Sequence, residues 1–420
     1  MDITITPTKL AGAVIPPPSK SQAHRLLIAA ALADGVSRLD NVAFSQDIQA
    51  TINCLEQLGA RFQRDGSAVT VHGMGANTMS PLRRLAYPHL DCGESGSTLR
   101  FLIPIALAVR GGGIFSGRGR LMERPQKPYF DLFDEKGIYY EQKDGVLTVT
   151  GALPPSEYRL PGDVSSQFVT GLLYALPLLG GDSDIVLTSP LESREYVNMT
   201  LDALSQSGIG IDDDIHVRID DEPDGFFVPG RQLYKPHSLT IEGDWSQAGF
   251  WYAAQFLGSP VEIMGLNYPS YQGDWAIDAY SFRLSKDGEL SLNVSHNPDL
   301  VPPLAAMAAL RAGETTHLTN AARLRLKESD RLASVTAVLT ALGADVTEGP
   351  DFLTIRGKEM LRGGVTVDSF NDHRIAMMAA IAATRCEKPV TITGAQCVAK
   401  SYPDFWEDYE ELGGKIQKSE

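Results

Sequence analysis

One kind of segment recurs six times along the 420 residues, and no other feature restricts the possible folds as strongly. Each copy opens with small or polar residues, runs apolar for about two to three helical turns, and stops near glycine or charge. The copies are SKSQAHRLLIAAALADG from Ser19, GESGSTLRFLIPIALAVRGG from Gly93 and DVSSQFVTGLLYALPLLGG from Asp163, then DWSQAGFWYAAQFLG from Asp244, NPDLVPPLAAMAALRAG from Asn297 and FNDHRIAMMAAIAATR from Phe370. Their helical parts are apolar on nearly every face, so they are expected to be buried all round. Pro104, Pro177, Pro302 and Pro303 weaken that expectation locally, because an interior proline removes a helical hydrogen bond.

A second, amphipathic segment alternates with the first and ends in glycine or a small residue before a short strand. Examples are SQDIQATINCLEQLGARF, RPQKPYFDLFDEKGIYY, SREYVNMTLDALSQSGIGI, KESDRLASVTAVLTALGADV and YPDFWEDYEELGGKI, and DWAIDAYSFRLSKDGEL completes the set. Strand-like runs lie between them: AVTVHG, GVLTVTG, DIVLTS, HSLTIEG, TTHLTN and VTITGA. Alternating helices and strands occur in any α/β protein. The same order repeated at intervals of roughly 53 to 81 residues means a repeated supersecondary unit. Six units divide naturally into two domains of three, with the junction expected in the Pro/Gly-bearing stretch VPGRQLYKPHS, residues 228–238.

A helix N-terminus presents unpaired N–H groups and attracts anions, so cations placed there are unfavourable to the helix alone. Yet the expected starts carry Lys20 and Arg25, Arg100, Arg194, Lys327 and Arg331, Arg374, and Lys400, with Arg120 and Arg124 just ahead of another. The densest case is RLRLKESDRL, residues 323–332, read as the mouth of the helix that ends at Gly343. Repeated violation of a local rule at equivalent points is the mark of a functional site. The inference is a cleft for a multiply anionic small substrate, held by arginine forks and lysine point charges. Neutral donors stand at the same starts: Ser19, Ser21, Ser97, Thr98, Ser165, Ser166, Gln167 and Ser193. A lone serine there is ordinarily a cap, but SSQ at 165–167 exceeds what one cap needs. Two acids, Asp299 and Glu328, stand among the cations. They read either as a cap and a first-turn acid or as proton-transfer groups tuned by the charged cleft.

Composition excludes other classes. A net charge of −15 is wrong for a general nucleic-acid binder. The four cysteines form no CxxC pair and no zinc spacing, so a reduced cytoplasmic protein without metal is expected. The start MDITITPTKL has no signal-peptide pattern, and no apolar run is long enough to span a membrane.

The motifs SKSQAHR, RLMERP, GDVSSQF, SREY, NPD, KESDR, NDHR and AKSYPD occur in the order seen in the 5-enolpyruvylshikimate-3-phosphate synthases, which the chain resembles from about residue 8 to 410. The resemblance implies an α/β fold of two domains, an inside-out α/β barrel with three βαβαββ units per domain and buried helices. On this reading residues 14–230 form one domain and residues 1–13 with 231–420 the other, with a cleft between them. Two cation-rich halves are expected to repel while the cleft is empty and to close on the anionic shikimate 3-phosphate. The resemblance also implies transfer of the carboxyvinyl group of phosphoenolpyruvate to the 5-hydroxyl of shikimate 3-phosphate, with no cofactor. A monomer is expected, with these small anions as its partners and neither nucleic acid nor membrane. In the matching positions Lys20, Ser21, Arg25, Ser165, Ser166, Gln167, Ser193, Tyr196, Asp299 and Lys327 are implied contacts to shikimate 3-phosphate. Lys20, Gly96, Arg120, Gln167, Arg331, Arg374 and Lys400 are the implied phosphoenolpyruvate shell. Asp299 is the implied acceptor of the hydroxyl proton, and Glu328 with Lys20 the groups that handle the proton added to the methylene carbon. Three positions depart from the family pattern. Glu94 stands where many members have asparagine, Phe101 where some have proline, and Arg323 where some have asparagine. A carboxylate at Glu94 would repel phosphoenolpyruvate unless it turns away or pairs with an arginine. The rival readings are a UDP-N-acetylglucosamine enolpyruvyl transferase, which usually carries a reactive cysteine in a mobile loop, and a non-catalytic anion-binding repeat protein. SGRGRLMERP, the corresponding loop here, has no cysteine.

Overall fold

The computed structural model describes residues 1–75, 86–213 and 225–419. The chain forms two compact units: Lys20–Ile241, and a split unit made of Met1–Ser19 with Glu242–Glu420. The first contains α1 (Lys20–Leu32), α2 (Gln46–Leu58), α3 (Gly96–Arg110), α4 (Lys127–Lys136), α5 (Ser166–Ala175) and α6 (Arg194–Gln206). The second contains α7 (Trp245–Phe256), α8 (Ile277–Leu284), α9 (Val301–Ala309), α10 (Arg331–Leu342), α11 (His373–Ala383) and α12 (Phe405–Glu411).

The odd-numbered helices of the first unit, α1, α3 and α5, supply much of one hydrophobic core, and α7, α9 and α11 much of the other. Every residue of α9 and α11 is buried, as is α1 from Ala23 to Leu32. The expectation that these segments are surrounded on all sides therefore holds, since side chains apolar all round have no face to give to water. Helices α2, α4 and α6 each bury one face only. In α10 most of the apolar positions are buried as well.

The prolines resolve in three ways. Pro302 and Pro303 fall in the first turn of α9, where no backbone donor is needed. Pro177 ends α5 in a 3-10 turn, Leu176–Leu178. Pro104 lies inside α3, which runs on unbroken. A proline there leaves the carbonyl four residues earlier, that of Arg100, without its helical donor. The hydroxyl of Tyr129 lies 2.8 Å from that carbonyl and 3.0 Å from the carbonyl of Phe168 on α5. Gly171 makes the approach possible: a β-carbon there would lie 2.3 Å from the Tyr129 hydroxyl and 2.5 Å from the Arg100 carbonyl.

The strands repeat one pattern, a parallel pair extended by antiparallel neighbours. In the first unit the orders are Ser238–Thr240, Val36–Asp40, Ala68–His72, Arg61–Asp65, then His89–Asp91, Gly112–Ser116, Val146–Thr150, Tyr139–Lys143, and Glu157–Leu160, Ser183–Leu187, Gly225–Val228. In the split unit they are Leu290–Asn293, Thr315–Thr319, Leu353–Arg356, Asp345–Glu348 and Thr366–Asp368, Val390–Thr393, Asp2–Thr6, Lys415–Ser419. The last sheet places the first strand between two late ones, which is why both ends of the chain belong to the split unit.

Candidate active site

In the first unit most of the expected site residues lie at the starts of α1, α3, α5 and α6. Lys20 opens α1, and its Nζ donates to Asp47 Oδ2 on α2 at 2.9 Å. Arg25, one turn on, is buried. It donates to Thr200 Oγ1 and to the carbonyls of Ser21 and Tyr196 at 2.8–2.9 Å. Burial draws its guanidinium down to about 10. It thereby ties α1 to α6 and holds the backbone of Tyr196 in place.

Gln167 has its amide oriented from both ends. Arg100 Nη1 donates to Oε1 at 2.9 Å, and Nε2 donates to Ser97 Oγ at 3.0 Å. Arg100 is thus a positioning group for Gln167, a role invisible in the sequence. Ser165 does cap α5, accepting from the Gln167 backbone N–H at 3.3 Å. Ser166 follows it inside the helix. Ser193 stands at the start of α6 with φ 56°, in the left-handed region, and makes no capping bond. Strain of that kind, held by surrounding structure, gathers at functional sites. Arg120 and Arg124 flank the 3-10 turn Leu121–Glu123. Arg120 reaches Glu123 at 3.9 Å, while Arg124 is buried with its guanidinium against Gly96. A β-carbon at Gly96 would lie 2.7 Å from Arg124 Nη1. Glu94 turns toward Gly119, where a β-carbon would lie 2.6 Å from its Oε2.

In the split unit the acids and cations form one network. RLRLKESDRL departs from its expected form: Ala322–Leu326 is a 3-10 turn, α10 begins only at Arg331, and Asp330 is its cap. Lys327 and Glu328 therefore lie in the loop before the helix rather than in its first turns, because the Asp330 carboxylate captures the Ala333 N–H and sets the boundary. Arg331 has a side chain 1 % exposed. It donates to Asp299 Oδ1 at 2.7 Å, Glu328 Oε2 at 2.6 Å and Asp372 Oδ2 at 2.8 Å. Burial works against its charge, but these three carboxylates outweigh burial and raise its pKa.

Asp299, on the 3-10 turn Pro298–Leu300 leading into α9, also receives Lys327 Nζ at 3.1 Å and Arg374 Nη2 at 3.2 Å. Burial would raise its carboxyl. Arg374, Lys327 and Arg331 together overcome burial and hold it well below the usual carboxylate range. The Lys327 ammonium is lowered, chiefly by burial. Asp372 caps α11 through the Arg374 N–H at 3.0 Å and accepts from Ser329 Oγ at 3.0 Å. Phe370 and Asn371, just before it, have φ of 52° and 51°. Lys400 closes this loop by donating to the Asn371 carbonyl at 2.6 Å.

Sequence reasoning missed Asp47, Asp274 and the part played by Asp372. The last lies inside NDHR, where only the arginine breaks the rule for helix starts. Asp274 is buried, accepts from Asn297 Nδ2 at 3.3 Å, and is raised by burial first and by the Asp299 charge second. No local pattern marks it. The split unit's cations are also largely matched by its own carboxylates, which the count of cations at helix starts did not anticipate. Asp299 and Arg331 each bind three groups of opposite sign.

These constellations carry whole-chain likenesses. A family model described as EPSP synthase (3-phosphoshikimate 1-carboxyvinyltransferase) matches residues 5–409. The 3-phosphoshikimate 1-carboxyvinyltransferase of Clostridium kluyveri is 45% identical over 433 residues, covering 99% of this chain and 98% of that protein. The protein of that name from Clostridioides difficile is 40% identical, covering 99% and 98%. The solved EPSP synthase of Acinetobacter baumannii has a TM-score of 0.77 at 23% identity and covers 99% of this chain and 100% of its own. The enolpyruvyl transferase NikO of Streptomyces tendae reaches 0.75 at 18% identity, covering 99% and 98%. The fold is the two-domain inside-out α/β fold of those structures. With its family model matched over nearly its whole length and its relatives aligned end to end, the chain belongs to the EPSP synthase (3-phosphoshikimate 1-carboxyvinyltransferase) family.

Proposed function

We propose that the residues described above divide the work of one reaction on two anionic substrates. That reaction is the family's: the enolpyruvyl group of phosphoenolpyruvate passes to the 5-hydroxyl of shikimate 3-phosphate, and phosphate leaves. The observation that carries the residue assignments is Asp299, an acid held by three cations of the kind that recognise phosphate and carboxylate.

In this reading Ser21, Arg25, Ser165, Ser166, Gln167, Ser193, Tyr196 and Lys327 serve shikimate 3-phosphate. Lys20, Gly96, Arg120, Gln167, Arg331, Arg374 and Lys400 serve phosphoenolpyruvate. The reacting hydroxyl must lose a proton, and Asp299 is the acceptor. While its three cations attend to it alone, it is a weak base. A substrate phosphate or carboxylate that engages Lys327, Arg331 or Arg374 withdraws part of that stabilisation, so Asp299 becomes more basic as substrate arrives. Glu328, bonded to Arg331, and Lys20, bonded to Asp47, manage the proton delivered to the methylene carbon. Fixed cations stabilise charge through addition and elimination without reorganising at the moment of reaction. The chain works as a cytoplasmic monomer and binds neither nucleic acid nor membrane; among the described residues no helix is long and apolar enough to cross a bilayer.

Purified protein supplied with both substrates is expected to release phosphate stoichiometrically with product. Release with UDP-N-acetylglucosamine in place of shikimate 3-phosphate would move the chain to the related transferases. Binding without release would leave only the anion-binding reading. Against the first rival stand four buried cysteines, with Cys386 and Cys397 pushed up to about 12 by burial, which is unsuited to a reactive thiolate.

A further inference from the structure

A chain of buried polar groups crosses the first unit without being part of the chemistry above. His24 Nδ1 lies 2.8 Å from Thr51 Oγ1, Thr51 Oγ1 lies 2.6 Å from Thr98 Oγ1, and the Thr98 hydroxyl donates to Ser95 Oγ at 2.7 Å. Ser95 Oγ also accepts the Thr98 backbone N–H at 3.1 Å, which makes it the cap of α3. All four residues are buried, none more than 1% exposed.

Proton counting gives the chain a direction. Thr98 has one hydroxyl proton and gives it to Ser95, so in the contact with Thr51 it can only accept. Thr51 therefore donates to Thr98 and must accept from His24. The imidazole then carries its proton on Nδ1. Its Nε2 is buried with no hydrogen-bond partner. A second proton there would be an unsatisfied buried donor beside Lys20 and Arg25, the two cations of its own helix. Burial and those two cations keep the ring's pKa well below its ordinary value. The edge of Phe101, from α3, closes another side at a ring separation of 6.4 Å.

The two ends of this chain are informative. His24 stands four residues from Lys20 on α1. Ser95 immediately precedes Gly96 and lies two residues before Ser97, which holds Gln167. We propose that His24, Thr51, Thr98 and Ser95 form a positioning relay that holds the first turn of α3 in register with the Lys20 end of α1 and so sets the affinity for phosphoenolpyruvate without touching it. The proposal rests on the assignment of Lys20, Gly96 and Gln167 to that substrate. Thr51 is the point at which to cut the relay, because it lies on α2 and bears no substrate role.

The test compares Thr51→Val, which keeps the shape and removes both hydrogen bonds, with Thr51→Ser, which keeps the hydroxyl. Loss of buried hydrogen bonds of this kind is expected to raise KM for phosphoenolpyruvate about tenfold. KM for shikimate 3-phosphate and kcat should stay within about twofold, and Thr51→Ser should lie near wild type. A folded Thr51→Val with unchanged KM for phosphoenolpyruvate overturns the proposal. So does a parallel rise in both KM values, or a serine variant no better than valine. Nitrogen NMR of the wild-type chain gives a readout independent of activity: His24 should be neutral and protonated on Nδ1 at pH 7. A proton on Nε2 overturns the relay even if Thr51→Val fails to fold. Gly96→Ala separates this from the underlying assignment. An unchanged KM for phosphoenolpyruvate in that variant removes Gly96 from the substrate shell, while the tautomer still reports on the relay.

Discussion

Arg331 Nη1 donates to Asp299 Oδ1 at 2.7 Å, joining a fully buried guanidinium to a carboxylate that also holds Lys327 and Arg374. The pair is the centre of the split unit's charge network. Each partner compensates a charge that burial would otherwise penalise, and each is of the type a substrate anion or a reacting proton would engage.

Asp299→Asn and Glu328→Gln remove the proposed proton transfer with little change of shape. Each is expected to lower kcat by about 10²–10⁴-fold, with a much smaller change in KM for shikimate 3-phosphate. Steady-state phosphate release measures both. Turnover at the wild-type rate in either purified variant would remove that residue from the chemistry.

The same network predicts a displaced acid limb. In the free enzyme Asp299 is held well below the carboxylate range by its three cations. Bound phosphate and carboxylate groups share those cations, so the Asp299 pKa should rise in the complex. The limb in kcat, which reports the complex, should then lie at higher pH than the limb in kcat/KM, which reports the free enzyme. Profiles measured from pH 4 to 8 would show the order, and a reversed order would contradict the proposed competition.

Asp274 makes a stability prediction of opposite sign. Its carboxyl is raised by burial and by Asp299. The native state therefore binds its proton more tightly than the unfolded chain, whose pKa is about 3.9, and stability falls as pH rises through the shifted value. Asp274→Asn removes that penalty and keeps an acceptor for Asn297. Its melting temperature should exceed wild type at pH 7 to 8, with the gap closing as pH falls toward about 4. Calorimetry across this range gives the comparison.

Tyr129→Phe tests how α3 tolerates Pro104. The variant leaves the Arg100 carbonyl without the hydroxyl that now lies 2.8 Å from it. A buried acceptor left unpaired costs about 1–3 kcal/mol. Denaturant unfolding should show a lower midpoint at unchanged slope. An unchanged midpoint would mean that another donor replaces the hydroxyl.

The repeat was legible from residue order alone, because a helix apolar on every face has to be surrounded, and six such helices at similar spacing require similar surroundings. All twelve expected helical segments form helices, and the six strand-like runs coincide with strands. The cations were also legible, as residues that break the rule for helix starts, and the two acids as carboxylates set among them. Their partners were not. Asp47, Asp274 and Asp372 meet Lys20, Asn297 and Arg331 across 27, 23 and 41 positions of sequence, and no local pattern encodes a contact of that range. Nor could residue order show that Lys327 and Glu328 stand outside α10, since a cap is chosen by which side chain reaches the first free N–H. Periodicity and charge type are local properties of the chain, so sequence determined which segments are buried and which residues are candidates for the chemistry. Charge compensation and the burial of His24 against Thr51 depend on groups brought together by folding, and only the tertiary structure decided them.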